Sequence, residues 1–438
     1  MRVLVIAPQP FFAERGTPIA VRRLVETLCA DGHRVDLLTY PFGETLEAEG
    51  LSIHRGGRFP GVRRVGIGFS LGKLLLDAML LPKLYRMAKP GRYDVIHAVE
   101  EAIYPALLLR WRHRANVVYD MDSSLAGQLA EAHAVFRLFH PVLGRIEQWA
   151  IRSAEVVAPM CQDLADYAAR VRDAEDPVVL HDVPVRKVSG ARFRAHPTSN
   201  GSERRLLALY VGNLEAYQGI DLLVDAAERL PVDAPVSIQV VGGTMDEVER
   251  FRTLAEERGL RDQIEFVGPR PLAHLHDLLA QADILLSPRT KGDNTPLKLY
   301  SYMESGRAIL ATRLRTHTQV LDDSTALLVD PSPEAYARGL LRLADDEALR
   351  GMLAESARLR VRRSYSPSSF ARKVRDIYGS SGDRYRRAPE GLAWNGSRAR
   401  NGVDRRGSGA RRRGSDRRAE PRAGRDRRFA DRRSLAYA

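Results

Sequence analysis

The sequence predicts an α/β chain of two doubly wound parallel-sheet domains facing across a cleft, followed by a disordered basic tail. Three observations predict it. Short apolar runs of strand length alternate with helical apolar periodicities through the first half of the chain, and again through the second. A polar stretch rich in Gly, Ser and Arg, Val188–Arg204, separates the halves as a linker. Apolar residues then become scarce from Ser381 onward. The divisions expected are a domain over 1–190, a second over 204–365, a last helix over 366–380 and a tail over 381–438.

Arg2–Ala7 is a short apolar run and reads as a buried first strand. A turn over Gln9–Gly16 leads to a helix with Thr17 as its cap and Pro18 at its first position. Val21, Leu24, Val25 and Leu28 then fall on one helical face. Asp31-Gly32-His33 ends the helix and Arg34–Thr39 is the next strand, which completes a βαβ unit. Asp94–Ala98, Asn116–Tyr119, Val156–Ala158 and Val178–Leu180 read as further strands. Ile67–Met87 is rich in Leu and carries Lys73, Lys83 and Arg86. It reads as a helix packed on the sheet, with a helix resting on a membrane surface as the alternative.

In the second half, strands are expected at Leu206–Val211, Ser237–Val241, Ile264–Val267, Ile284–Leu286, Ile309–Ala311 and Ala326–Val329. Ser366-Pro367 opens a helix that should end near Tyr378. The informative stretch is Ser287–Thr312. A strand is followed by a polar loop with Gly292, then by Pro296 at the start of a helix that stops at Gly306. A helix N-terminus aimed at a strand end is an anion-binding corner. Arg289, Lys291 and Lys298 crowd this one, as a phosphorylated ligand would require. The alternative is a solvated basic loop. Two parallel-sheet domains place a ligand cleft at the carboxyl ends of their strands.

Composition bounds the function further. No apolar run approaches the ~18 residues that span a bilayer. The opening MRVLVIAPQP is too short for a secretory leader, and two cysteines, Cys29 and Cys161, offer no disulfide framework. The expectation is a cytoplasmic chain, peripheral to the inner membrane face at most. Of the net +13, the tail from Ser381 supplies +11, with 18 Arg against 7 acids. Its Asp-Arg-Arg repeats begin at Asp404, Asp416, Asp426 and Asp431. Such a segment gains affinity for anionic membranes. Without lysine it attracts nucleic acid only loosely, so nucleic acid is not expected as the primary partner.

Other constellations point less far. Asp120-Met121-Asp122 has the spacing of a metal-binding Asp-x-Asp, but lies far in sequence from the basic corner. The preferred reading places Asp122 and Ser123 at a strand end facing the cleft, with an N-cap for a helix from Leu125 as the alternative. His97, Glu100 and Glu101 also follow a strand end, either touching an acceptor or packing a loop. No Gly-x-Ser-x-Gly elbow supports a hydrolase, and Gly66-x-Gly68 and Gly242-Gly243 fall short of a dinucleotide fingerprint.

Val211–Leu230 (VGNLEAYQGIDLLVDAAERL), VVGG at Val240–Gly243, IEFVG at Ile264–Gly268 and PLKLYSYMESGRAILAT together resemble glycosyltransferase family 4 over residues 1–378. The resemblance implies the GT-B arrangement of two Rossmann-like domains. It also implies a retaining, metal-independent transfer from a nucleotide-sugar donor, with no cofactor. The donor would bind the second domain and the acceptor the first, and the last helix would cross back. Several positions depart from the pattern. Asn213 and Gln218, beside Gly212 and Gly219, replace the Arg and Lys that usually neutralise the donor diphosphate. Lys291 and Ser301 stand nearest to two usual glutamates, and Asp293 is the loop's acid. Asp122 stands where members often place a His, and Gly16-Thr17 replaces paired glycines.

A diphosphate leaving group needs its growing charge met. With Asn213 and Gln218 neutral, the expected clamp is Arg289, Lys291 and Lys298. Donor contacts are expected also from Gly16, Gly243, Thr295, Pro296, Leu297 and Ser301. Asp122, His97 and Lys298 are the expected catalytic groups, with Ser123, Glu100 and Glu101 toward a glycan or lipid-linked acceptor. The rival is a sugar- or nucleotide-binding protein of the same fold that has lost transfer.

Overall fold

The computed structural model describes residues 1–14, 16–62, 70–127, 134–173, 177–185, 205–292 and 294–387. The linker 186–204, residues 67–69, Asp293 and the tail from 388 lie outside the described residues.

Two six-stranded sheets form the frame, and every strand pair in them is parallel. The first has β1 (Arg2–Ala7), β2 (Arg34–Thr39), β3 (Leu51–Arg55), β4 (Val95–Val99), β5 (Asn116–Met121) and β6 (Val156–Pro159) in the order β3-β2-β1-β4-β5-β6. The second has β7 (Leu206–Val211), β8 (Val236–Val241), β9 (Ile264–Gly268), β10 (Ile284–Ser287), β11 (Ala308–Thr312) and β12 (Leu327–Val329) in the order β9-β8-β7-β10-β11-β12. The two orders are the same doubly wound one. Each reverses direction once, between β1 and β4 and between β7 and β10, and ligands bind outside the strand ends at such points.

Burial explains why these runs are strands. On β1, Val3 and Val5 pack with the helix Gly16–Ala30, while Leu4 and Ile6 pack with the helix Leu71–Met87. A strand covered on both faces must be apolar at every position, which its sequence is. The last helix, Pro367–Arg387, follows the second domain in the chain but buries Phe370, Val374, Ile377 and Tyr378 in the first domain's core. Arg375 adds an ion pair to Asp31 at 2.8 Å.

Several expectations need correction. The first helix begins at Gly16, so Thr17 lies inside it and is no cap. Val178–Leu180 forms no strand; Leu180 N donates to Pro159 O at the end of β6 at 2.8 Å, and Leu180 and Val183 plug the first domain's core. The corner helix begins at Lys298, and Pro296 precedes it, its carbonyl accepting from Leu299 N at 3.0 Å. The last helix continues nine residues past Tyr378. The strand β3 carries no clear sequence signal, because LSIHR is a half-exposed edge with no continuous apolar run. Among the described residues, no helix is long and apolar enough to cross a membrane.

Candidate active site

In the second domain the site is built at the ends of β7 and β10. Lys298, on the first turn of the helix Lys298–Ser305, reaches back over β7. Its Nζ donates to Gln218 Oε1 at 3.2 Å and sits 3.8 Å from the centroid of the Tyr210 ring. A Cβ on Gly212 would lie 2.8 Å from that nitrogen. No carboxylate pairs with Lys298 among the described residues. Burial, and then the charge of Arg289, hold its pKa well below the usual lysine value. A desolvated ammonium facing another cation is stabilised by an arriving anion.

Backbone approach closes the corner. Gly219 has φ +76° and an added Cβ would lie 2.0 Å from Pro288 O, so only glycine lets the two loops meet. The Tyr210 hydroxyl donates to Asn213 O at 2.6 Å, and Asn213 Oδ1 is buried without a hydrogen-bond partner among the described residues. Gly243 follows β8 against Leu214. Thr295 and Pro296 are buried and Leu297 is half-buried at the helix start.

Arg289 is placed differently from expectation. Its guanidinium donates to Asn294 O at 2.7 Å, Thr316 Oγ1 at 2.8 Å and Asn294 Oδ1 at 3.2 Å, and lies over the Tyr217 ring. Those bonds hold the loop, and its charge acts on the corner through Lys298. Beneath it, His317 is bonded to Ser287 and Thr312, and burial pushes its pKa down to about 4, so it stays neutral. Lys291 is exposed. Ser301 is buried, and its Oγ accepts from Val185 N at 3.0 Å, which fastens the segment 177–185 to the second domain. It therefore serves the interdomain joint in place of the donor contact expected of it.

The first domain presents acids at the ends of β4 and β5. Burial raises the Asp122 carboxyl well above the usual range, and Asp120, Glu100 and Asp182 push it further, against a hydrogen bond from Thr17. Glu100 stands in a left-handed backbone conformation at φ +50°, and burial with the neighbouring Glu101 charge raises its pKa too. The Ser123 hydroxyl donates toward Glu100 Oε1 at 3.4 Å. Glu101 is spoken for by Lys73, 2.7 Å away, so it is no free acceptor group. Ser124, bonded by Gly127 N at 3.1 Å, caps the turn that Ser123 could have capped. Asp182 was not singled out from the sequence, where it fell beside a run read as a strand; burial and then Asp120 push it up to about 7.

His97 is corrected outright. It is fully buried, with Nε2 3.0 Å from Asp120 Oδ2 and Nδ1 3.0 Å from the Tyr378 hydroxyl. It faces the last helix because it shares a strand face with Val95 and Val99, and no substrate reaches it there. Gly16 opens the first helix, and a Cβ there would meet nothing within 4 Å. Among the described residues, no three His, Cys, Asp or Glu side chains are grouped to hold a metal ion.

The domains are also tied away from the corner. Arg315 Nε donates to Asp163 Oδ1 at 2.7 Å, and Leu272 N donates to Glu14 Oε2 at 2.7 Å.

Two family models match the two domains in turn. One described as glycosyl transferase 4-like domain covers residues 15–183, and one described as glycosyl transferases group 1 covers 192–360. A D-inositol 3-phosphate glycosyltransferase of Corynebacterium urealyticum is 29% identical over 403 residues, covering 83% of this chain and 90% of its own. A sucrose-phosphate synthase structure from Thermosynechococcus elongatus superposes with a TM-score of 0.68 at 21% identity, over 87% of this chain and 99% of its own. Anabaena HepE in complex with UDP-glucose gives 0.62 at 16% identity, over 87% and 100%. With both domains matched in order on a doubled Rossmann-like frame, the chain belongs to glycosyltransferase family 4 and is a glycosyltransferase of the GT-B type.

Proposed function

We propose that this glycosyltransferase moves a sugar from a nucleoside-diphosphate donor to a hydroxyl of a glycan or lipid-linked acceptor, with retention at the anomeric carbon and without a metal ion. The observation that carries the reading is Lys298, whose Nζ reaches Gln218 and the space above Gly212. It puts a cation beside the two neutral positions, Asn213 and Gln218, where a diphosphate needs one. The HepE complex with UDP-glucose supports the donor class.

In this reading the diphosphate lies across the end of β7, against Gly212, Gly219 and the first turn of the helix Lys298–Ser305. Lys298 meets the charge that grows on the departing phosphate as the sugar–oxygen bond breaks. The acceptor hydroxyl approaches from the ends of β4 and β5, and its proton goes to the departing phosphate on the same face. Burial and its acidic neighbours hold Asp122 toward its protonated form, in which it can donate a hydrogen bond to a sugar hydroxyl. Surroundings of four acids suit an uncharged hydroxyl at the point of attack. The protein's contribution is positioning and electrostatics, with closure of the cleft excluding water.

The neutral Asn213 and Gln218 favour one rival, a binder without turnover. Calorimetry with UDP, ADP and GDP, followed by nucleotide release from the matching sugar nucleotides in the presence of acceptors, separates the two. Release with acceptor supports transfer; tight binding with no release under any acceptor supports the rival. No nucleotide binding at all overturns both.

A further inference from the structure

The outer helix layer of the first domain carries a wide apolar face. The helix Leu71–Met87 buries Leu76, Leu80, Leu84 and Met87 on the sheet. It also turns Leu71, Leu74, Leu81 and Tyr85 outward on the opposite side, and Leu71 is 72% exposed. One buried stripe suffices for packing, and the second has no packing role among the described residues. The helix Ala134–Ser153 repeats the arrangement: Phe139, Val142, Ile146 and Trp149 are 43–52% exposed, at positions i, i+3, i+7 and i+10. Between them lies the short helix Arg110–His113. Arg112 Nε donates to Tyr85 O at 3.0 Å and Arg110 Nη1 donates to Ser153 O at 2.8 Å, so it touches the ends of both long helices. Its Trp111 is 68% exposed, beside exposed Leu108. Among the described residues, nine of the fifteen exposed large apolar side chains lie on these three helices and a tenth, Leu108, adjoins them, which gathers the exposed apolar surface on one face.

Charge says what docks there. Arg86, Lys89, Arg114, Arg145 and Arg152 are exposed around the apolar stripes. The acids of the two long helices are turned inward, Asp77 to the Tyr40 hydroxyl at 2.5 Å and Glu147 to Ser124 at 2.9 Å. A second copy related by a two-fold axis would bring this face onto itself, arginine against arginine, with no exposed acid of these helices to meet them. A bilayer surface with anionic headgroups meets both features, taking the Leu, Trp and Tyr side chains into its interface and the arginines at phosphate level.

We propose that this face docks the first domain on an anionic lipid bilayer. The inward side of the same docking helix carries Lys73, 2.7 Å from Glu101, and Glu101 borders Glu100 at the end of β4. Docking therefore holds the acid-lined end of the cleft beside the lipid surface. This proposal is independent of the transfer reading, because its test measures binding without turnover.

The test is sedimentation of the full chain with vesicles of phosphatidylcholine containing phosphatidylglycerol, against phosphatidylcholine alone, at low and high salt. Two double variants are compared with the unaltered chain: Leu71→Glu with Trp111→Glu, and Val142→Glu with Trp149→Glu. These side chains are exposed, so melting temperatures should hold. The expected result is binding to the anionic vesicles, weakened by salt, and reduced about tenfold or more in each double variant. Equal sedimentation of variants and unaltered chain would place the anchor elsewhere, as in the basic tail, and overturn the proposal. So would failure of the unaltered chain to bind, or light scattering that shows a dimer made monomeric by the same substitutions.

Discussion

The Tyr378 hydroxyl meets His97 Nδ1 at 3.0 Å, joining the last helix to a central strand of the first domain. The other ring nitrogen meets Asp120 Oδ2 at 3.0 Å, so tyrosine, imidazole and carboxylate form one buried chain. Both ring nitrogens are thereby bonded, one to a hydroxyl and one to a carboxylate oxygen. Tyr378→Phe keeps the packing of the ring and leaves Nδ1 unbonded in the core. The expected outcome is a loss of about 1–2 kcal/mol, read as a melting temperature lower by roughly 2–6 °C, with nucleotide affinity unchanged. An unaltered melting temperature would show that the chain contributes nothing to holding the helix.

Lys298 and Arg289 should separate by variant. Lys298→Met removes the ammonium beside Gly212 while keeping the stem over Tyr210. Donor nucleotide binding should weaken by ~1.5–3 kcal/mol, about 10- to 150-fold, with the fold intact. Arg289→Ala removes three hydrogen bonds that hold the loop, so its melting temperature should fall along with affinity. Calorimetry beside a thermal melt checks both. Equal binding by the Lys298 variant would remove that residue from the donor site.

The frame was legible because parallel strands buried on both faces must be apolar throughout, as at Val3–Ala7 and Ile284–Leu286. The edge strand Leu51–Arg55 escaped because one face of it meets water. The run Val178–Leu180 misled for the converse reason: it is apolar because it plugs a core, and it meets β6 through the bond from Leu180 N to Pro159 O without becoming a strand. At the site, the strand–loop–helix pattern located the basic corner but not the direction of its side chains. What turns Arg289 inward is Thr316 and Asn294, and what draws Lys298 over the corner is Gln218 and Tyr210. Those partners come from distant elements and carry no local spacing signal. His97 likewise reads as a strand-end polar residue until the last helix is laid on it.

Chelation tests the Asp120-Met121-Asp122 spacing. Asp120 Oδ2 is already bonded to His97, and Asp122 is held toward its protonated form by burial and its acidic neighbours. A protonated carboxyl is a poor ligand for a hard cation. Nucleotide release should therefore persist in excess EDTA. Activity lost in EDTA and restored by Mg or Mn would assign these carboxylates a metal.

The acid cluster should make stability depend on pH, in a direction fixed by the shifts. Asp182 has its pKa pushed up to about 7 in the folded chain, by burial and then by Asp120, against about 3.9 in an unfolded one. Between those values the folded state holds a proton that the unfolded state has released. Stability is then greatest below the unfolded value and falls as pH climbs toward the folded one. Glu100 and Asp122 are shifted the same way and add to the slope. Asp182→Asn removes one ionisation and keeps the size of the side chain. The melting temperature should be higher than in the unaltered chain at pH 8, on the order of 2–4 °C, and close to it at pH 4. A variant no more stable than the unaltered chain at pH 8 would mean that Asp182 ionises there at no expense, with water or a cation satisfying its charge.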